Sequence, residues 1–337
     1  VLDFAEARQM GFSKFVSFGN KSDVNETELL EYLADDPKTK VIALYLEDIA
    51  DGKGFIDIAS KIFWEKGKVV LCLKSGRTAE GAKAVSSHTG SLAGSDAVYN
   101  AIFTQSGVQR VDTVAELFDR ASLYTTQPEP KGNRVVIVTN AGGPGIMATD
   151  ASIKNGLKLA ELSEETKNKL REAMPPAASV RNPIDVLGDA HSDRYETAVK
   201  IALEDPAVDM CLVVLTPQSM TDSDVIGDQI PEAVKGCGKP VVCAFMGAKD
   251  VEEGVKRLVG KGVPNYSFPE DAVAALGAYV NLAGFRALEG REYISTDDCD
   301  VAKAKSIIDG FLADVEEKYL TQADCRGIFE CYKLPLL

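Results

Sequence analysis

Residues Arg134–Asp150, RVVIVTNAGGPGIMATD, pass from an unbroken apolar run into a cluster of glycines and on into a segment with helical spacing. A short, continuous β-branched run is the mark of a strand covered on both faces, and parallel sheets are built of such strands. The glycine turn that leads straight into a helix supplies the rest of a strand–helix unit. Working outward, the same alternation recurs along the chain. Upstream, strands are expected at Lys14–Phe18, Val41–Leu46, Val69–Leu73 and Val108–Val111. Helices are expected between them at Glu26–Ala34, Phe55–Trp64, Ser95–Thr104 and Val114–Tyr124. Downstream, strands are expected at Met210–Leu215, Pro240–Phe245 and a short Tyr266–Phe268. The helices of this half are Gly145–Lys154, Glu164–Ala173, Arg194–Glu204, Ile230–Lys235, Val251–Leu258 and Pro269–Leu288. Thr125–Gly132, TTQPEPKG, carries two prolines and little apolar content, and reads as a linker between the halves. The expected fold is therefore α/β, two doubly wound parallel-sheet domains over 1–126 and 133–289. A segment 290–337 follows, with one helix at Asp300–Glu317.

Composition narrows the possible partners. Of 337 residues, 45% are hydrophobic and 26% charged, the profile of a soluble globular chain. The 37 basic and 51 acidic side chains leave a net charge of −14, which disfavours nucleic acid as a partner. An acidic chain binds phosphate locally, through backbone N–H groups and helix N-termini. No apolar run approaches the roughly 20 residues that span a bilayer, so no membrane partner is expected. The seven cysteines include no C-x-x-C pair, and Cys72, Cys211 and Cys243 lie inside strand-like runs. Reduced thiols and a cytoplasmic location are expected. The chain opens at Val1 within a helical pattern, VLDFAEARQMG, so it is expected to be part of a longer polypeptide.

In open parallel sheets ligands gather beyond the carboxyl ends of the strands. Four stretches lie there: Ser17–Asn20, Leu46–Asp48, Lys74–Gly94 and Asn140–Gly145. The third, KSGRTAEGAKAVSSHTGSLAG, is long for a strand-to-helix connection and holds His88, one of two histidines in the chain. Ser86, Ser87, Thr89 and Ser91 surround His88 with hydroxyls, which argues against a core filler. Two histidines and no cysteine pair make a poor zinc set, and no metal site is expected. A loop of small residues leading into a helix suits a histidine that accepts and passes on a phosphoryl group, with Gly90 and Ser91 offering N–H groups to the phosphate. The competing reading is a solvated loop histidine.

The glycines of Asn140–Gly145 likewise present N–H groups at a helix start, so Asn140, Gly142, Gly143 and Gly145 are candidate phosphate contacts. A tight structural turn is the alternative. The stretch is neither a P-loop nor a G-x-G-x-x-G fingerprint. Glu47, at a strand end, is either an anion that fixes one imidazole nitrogen so that the other attacks phosphorus, or an exposed loop acid. Gly19, Asn20, Lys74, Ser75 and Arg77 either touch phosphate or substrate, or flank the loops. His191 reads as structural, at a helix start.

The stretch KSGRTAEGAKAVSSHTGSLAGSDAVYNAIFTQSGVQRVDTVAELFD resembles the ADP-forming (NDP-forming) acyl-CoA synthetases, among them ADP-forming acetate–CoA ligases. The resemblance continues through GFSKFVSFGNKSDV, LYLEDI, IVTNAGGPGIMATD, RNPIDVLGDA, VDMCLVVLTPQSMTD and YSFPEDA, covering about residues 1–285. It implies two flavodoxin-like, succinyl-CoA ligase-like domains. It also implies that His88 is the phosphorylated histidine, that Glu47 orients it, and that the NAGGPG helix start helps to hold the phosphoryl group. The substrates implied are acyl-CoA, phosphate and an organic acid, with CoA, ADP or ATP and Mg²⁺ bound largely by domains outside this chain, and no tightly bound cofactor. An ATP-grasp beta part, fused or separate, and an oligomeric assembly are the implied partners. Family members carry a CoA-binding domain, a strand and a Ser-Gly-Ala turn ahead of the segment that matches Val1, so the first sheet is expected to lack a strand. The tail RGIFECYKLPLL is similar to the opening of the ATP-grasp part. Two other readings share the architecture: the synthetase-like regulatory region of a protein lysine acetyltransferase, and a noncatalytic remnant. The intact SHTGSLAG stretch favours the ligase.

Overall fold

The computed structural model describes residues 1–19, 21, 23–78, 80–81, 83, 95–288, 298–313 and 319–335. Residues Val1–Ala287 form one compact unit and Leu288–Leu337 another.

The first half of the larger unit runs α1 (Leu2–Ala7), α2 (Glu26–Ala34), β1 (Val41–Leu46), α3 (Gly52–Trp64), β2 (Val69–Lys74), α4 (Asp96–Ser106), β3 (Gln109–Val111) and α5 (Val114–Thr126). Its strands are parallel in the order β1-β2-β3, with Val41 opposite Val69 and Leu71 opposite Gln109. Helix starts follow from local chemistry. Asn25 and Glu28 make a capping box on α2, the Asp51 carboxylate accepts from Lys53 and Gly54 N–H to start α3, and Thr113 caps α5. In α3, Phe55, Ile58, Ala59, Ile62 and Phe63 are buried at the spacing that lines one helix face.

The second half runs β4 (Arg134–Thr139), α6 (Gly142–Lys154), β5 (Lys158–Leu159), α7 (Glu164–Ala173), β6 (Ile184–Asp185), α8 (Ser192–Glu204), β7 (Met210–Leu215), α9 (Ser223–Ala233), β8 (Val241–Phe245), α10 (Glu252–Gly260) and α11 (Pro269–Arg286). The parallel order is β5-β4-β7-β8, and the short β6 pairs with the far end of β4. Between β5 and β6 the Asn182 side chain completes the ladder: its carbonyl accepts from Ile137 N–H and its amide donates to the Val135 and Ala160 carbonyls. A backbone group buried in a sheet needs such a partner, and a primary amide offers both a donor and an acceptor.

The two sheets share an apolar cluster. Phe63, Leu71 and Val111 meet Val135, Leu212 and Val242 through Leu123 and Tyr124 of α5 and Tyr279 and Leu282 of α11. The linker residues are strapped down as well. Gln127 donates to the Gly262 carbonyl and accepts from Val241 N–H, its own carbonyl accepts from the Tyr279 hydroxyl, and Glu129 pairs with Arg286 at 2.6 Å. In the smaller unit, α12 (Val301–Leu312) and α13 (Gln322–Cys331) pack with Ala304 and Cys331 buried, and Asp300 and Thr321 cap their starts.

Several expected elements differ. Lys14–Phe18 forms no strand: it pairs with none of the described strands, and is held by Ser13 to Thr39 and Lys14 to Asp36 near its start and by Phe18 packing on the core of the first half at its end. β-Rich composition makes a strand only where a neighbour completes the ladder. Tyr266–Phe268 is likewise not a strand; a single bridge joins Asn265 to Cys243. The helix expected at Ile230–Lys235 begins instead at Ser223, launched by the Asp222 cap on Val225 N–H, and Pro231 lies near its end. The helix expected over Asp300–Glu317 is seen as Val301–Leu312, and residues 314–318 lie outside the described residues. The two-residue strands β5 and β6 and the helix α13 were not foreshadowed by any long apolar pattern.

Candidate functional site

At the carboxyl ends of β1 and β2 the chains leave the sheet side by side. Ser75 N–H donates to the Leu46 carbonyl at 3.0 Å, extending the ladder by one residue, so Glu47 and Ser75 emerge together. Glu47 is half-buried. Its Oε2 is buried and has no hydrogen-bond partner among the described residues. A carboxylate oxygen taken from water without a partner carries a penalty of about 1–3 kcal/mol or more.

The turn that carries Glu47 is fixed by groups the sequence did not mark. Lys21 Nζ donates to the Asp48 carbonyl at 2.7 Å and to Asp48 Oδ1 at 2.5 Å, and lies 2.9 Å from Glu26 Oε2. Glu26 is fully buried, and its other oxygen accepts from Ala50 N–H at 2.7 Å. Burial by itself pulls the Lys21 ammonium toward deprotonation, but its hydrogen bonds to Asp48 and Glu26 outweigh this and hold its pKa above the usual lysine value. The partners are separated in sequence and meet only through the fold, so no local signal announces them.

The remaining candidates of the first sheet fall into distinct settings. Lys74 is buried, donates to the Ser75 carbonyl and sits 4.3 Å from the centroid of the Tyr99 ring; burial lowers its pKa, with Asp96 opposing. Arg77 is exposed and pairs with Asp112, with Asp96 3.8 Å away. Asp96 in turn holds Arg110 at 2.5 Å, which keeps its carboxyl below the ordinary range despite partial burial. Gly19 is exposed at φ +57°, a left-handed turn that glycine adopts without strain. Asn20, His88, Gly90 and Ser91 lie outside the described residues.

At the end of β4 the structure sorts the glycine cluster. Asn140 is buried and its amide is committed within the sheet: it donates to the Thr216 carbonyl and accepts from Thr216 N–H and hydroxyl, joining the ends of β4 and β7. Thr139 Oγ1 accepts from Ala141 N–H. The next two residues, Gly142 and Gly143, are exposed at the start of α6, where no side chain caps the helix. A Cβ at either would meet nothing within 4 Å. Gly145 is different: its N–H donates to the Ala141 carbonyl, and a Cβ there would lie 3.1 Å from Thr139. Gly145 is therefore a packing glycine, whereas Gly142 and Gly143 leave open space before a helix start. No hydrogen bond or ion pair among the described residues joins the β1–β2 group to the β4 group. His191 is exposed at the start of α8 and makes no side-chain cap. A separate cavity of about 270 Å³, lined by Arg8, Asp119, Phe245, Gly247 and Tyr266 among others, holds none of the expected residues.

Among the described residues no group of three His, Cys, Asp or Glu side chains is placed to hold a metal ion, and no helix is long and apolar enough to cross a membrane.

The chain has close counterparts among known proteins. Residues 1–124 match the succinyl-CoA ligase-like flavodoxin domain, and residues 135–288 match the ligase-CoA domain. The chain is 47% identical over 280 residues to the alpha subunit of ADP-forming acetate–CoA ligase II of Pyrococcus furiosus, covering 81% of this chain and 60% of that one. It is 38% identical over 340 residues to the ADP-forming 4-hydroxybutyrate–CoA ligase of Nitrosopumilus maritimus, covering 100% of this chain and 48% of the relative. Among solved structures, the dinucleotide-forming acetyl-coenzyme A synthetase 1 of Candidatus Korarchaeum cryptofilum, in complex with phosphate and ADP, superposes with a TM-score of 0.79 at 36% identity, over 85% of this chain and 62% of that one. The chain thus spans about half to three-fifths of the length of these relatives. On motif, domain and structure alike, the chain belongs to the ADP-forming acyl-CoA synthetases, as a part of their succinyl-CoA ligase-like alpha region.

Proposed function

We propose that this chain is the phosphoryl-carrying core of an ADP-forming acyl-CoA ligase, with His88 as the carrier and Glu47 as the carboxylate that orients it. The observation that carries the reading is the buried Oε2 of Glu47, without a partner among the described residues, at the exit of β1 and beside the start of the segment that bears His88. An imidazole N–H donated to that oxygen fixes the tautomer and leaves the second nitrogen with its lone pair outward. It also stabilises the positive charge that develops on the ring as the second nitrogen attacks.

The chemistry then runs in three displacements. A phosphate oxygen attacks the thioester carbonyl of an acyl-CoA, the C–S bond breaks, and CoA leaves as a thiolate that takes up a proton. The free imidazole nitrogen of His88 attacks the phosphorus of the acyl phosphate, and the P–O bond to the acyl group breaks, releasing the carboxylate. ADP attacks the phosphohistidine, giving ATP and neutral His88. The Gly142 and Gly143 N–H groups, at an uncapped helix start with room in front of them, suit a phosphoryl group in transit. Gly19, Ser75 and Arg77 are proposed as further contacts on the same loops, with Asn20, Gly90 and Ser91. Lys74 and Asn140, whose polar groups are engaged inside the fold, are proposed to shape the site from behind.

In this reading 1–126 and 133–289 act as two domains of one core, and 290–337 leads toward an ATP-grasp beta part, fused or separate. Nucleotide and Mg²⁺ belong with that part, the assembly is oligomeric, and it works in the cytoplasm. Relatives named for acetate and for 4-hydroxybutyrate support a small organic acid as the substrate class. The test is labelling of the full-length protein with [γ-³²P]ATP. The expected result is an acid-labile, base-stable label that His88→Ala abolishes; label that survives His88→Ala, or no label on the wild type, overturns the reading.

A further inference from the structure

Lys21 and Glu26 form an ion pair that the phosphoryl-transfer chemistry does not use. Lys21 adopts φ +58°, a left-handed backbone conformation that is unfavourable for a lysine. Its side chain is only 12% exposed and Glu26 is completely buried. Desolvating two opposite charges is expensive, and an apolar pair of similar size usually serves stability as well or better. The expense is incurred at one spot: the ammonium grips Asp48 through both its carbonyl and its carboxylate, and the Glu26 carboxylate grips Ala50 N–H. Together they hold the residues that immediately follow Glu47. Glu47 itself offers a buried oxygen without a partner among the described residues, so its direction is set by the turn on which it stands.

We propose that Lys21 and Glu26 are positioning residues for Glu47, their ion pair locking the β1 exit turn so that the carboxylate meets the imidazole it orients. This inference rests on the role assigned to Glu47 above. A turn freed of the pair would let the carboxylate wander by an ångström or more, and misplacement of about that size costs on the order of 100-fold in rate. Neither residue touches the reacting atoms.

The test is a mutant cycle on the full-length enzyme, reading single-turnover labelling of His88 from [γ-³²P]ATP together with the KM for ATP and the melting midpoint. The variants are Glu47→Gln, the pair Lys21→Met with Glu26→Gln, all three substitutions together, and Lys21→Arg. Glu47→Gln and the pair variant are each expected to slow labelling by about 10- to 100-fold with the KM for ATP unchanged. The triple variant is expected to be no slower than Glu47→Gln, because the pair acts only through that carboxylate. Lys21→Arg keeps the charge and is expected to stay within about threefold of wild type. Labelling of the pair variant at the wild-type rate, or slowing that multiplies with that of Glu47→Gln, overturns the proposal. If Glu47→Gln labels normally while His88→Ala does not label, the reading of Glu47 falls and this inference with it. Should the pair variant not fold, Glu26→Gln alone, which keeps an acceptor for Ala50 N–H, enters the same cycle with the same criteria.

Discussion

The two sheets of the larger unit are built alike and finished differently. In the second half, β7 and β8 are buried at every residue, as parallel strands with helices on both faces should be. In the first half, β2 is equally buried, yet β1 carries exposed Ala43 and Tyr45 within a sequence, VIALYL, as apolar as any buried strand. Its outer edge pairs with none of the described strands, and Lys14–Phe18, the β-rich segment nearby in sequence, leaves Phe15 and Val16 exposed. Each half keeps an apolar cluster of its own, around Leu30, Phe55 and Phe103 in the first and around Tyr195, Val213 and Phe245 in the second; a shared cluster joins them, and β1 leaves part of one face in the open.

That contrast can be broken most directly at Phe63. Its ring is fully buried in the shared cluster, with Phe285 at 5.6 Å between ring centroids and the Arg286 guanidinium 5.0 Å from its centroid. Phe63→Ala is expected to lower stability by about 3–5 kcal/mol. It should also split a single urea transition into two, the first half unfolding ahead of the second; a single unsplit transition at the wild-type midpoint would show that Phe63 does not couple the halves.

A smaller loss is expected inside the second half. A Cβ at Gly227 of α9 would overlap the Gly254 carbonyl of α10. Gly227→Ala is therefore expected to cost about 1–3 kcal/mol, read as a lower urea midpoint with the slope unchanged.

The finest distinction lies between two glycines of one turn. Gly145→Ala pushes on Thr139 and is expected to cost about 1 kcal/mol. Gly143→Ala has free space and gains helix propensity, so it should stabilise the fold by about 0.5–1 kcal/mol. It should at the same time slow labelling of His88, since the methyl group stands where a phosphoryl group would approach. A variant that is more stable and fully active would remove Gly143 from the site.

Much of this was legible in the sequence. The apolar runs at β2, β4, β7 and β8 declare themselves because a strand covered on both faces needs a nearly continuous apolar stretch, and β1 is as apolar although Ala43 and Tyr45 are exposed. β5 and β6 do not, because two residues carry no period, and the ladder between them is completed by the Asn182 side chain rather than by backbone. Lys14–Phe18 shows the opposite failure, strand composition with no partner among the described strands. At the site, Glu47 was visible as a carboxylate at a strand end. Lys21 and Glu26 were not, because what makes them special is burial against each other and against Asp48 and Ala50, which only the folded chain brings about. Asn140 was visible as a polar residue at the end of a buried strand, but the engagement of its side-chain amide with Thr216 was not, because that partner comes from the neighbouring strand end.

The segment read as a linker gives the molecule a mechanical character. Gln127 puts its amide on the backbone of β8 and of the turn after α10, Tyr279 clasps the Gln127 carbonyl, and Glu129 is held by Arg286. Turning one sheet against the other would rupture all of these at once, along with the shared apolar cluster. The connector is a weld and not a hinge. Whatever the two sheets carry at their strand ends is therefore kept at a fixed separation by the core itself.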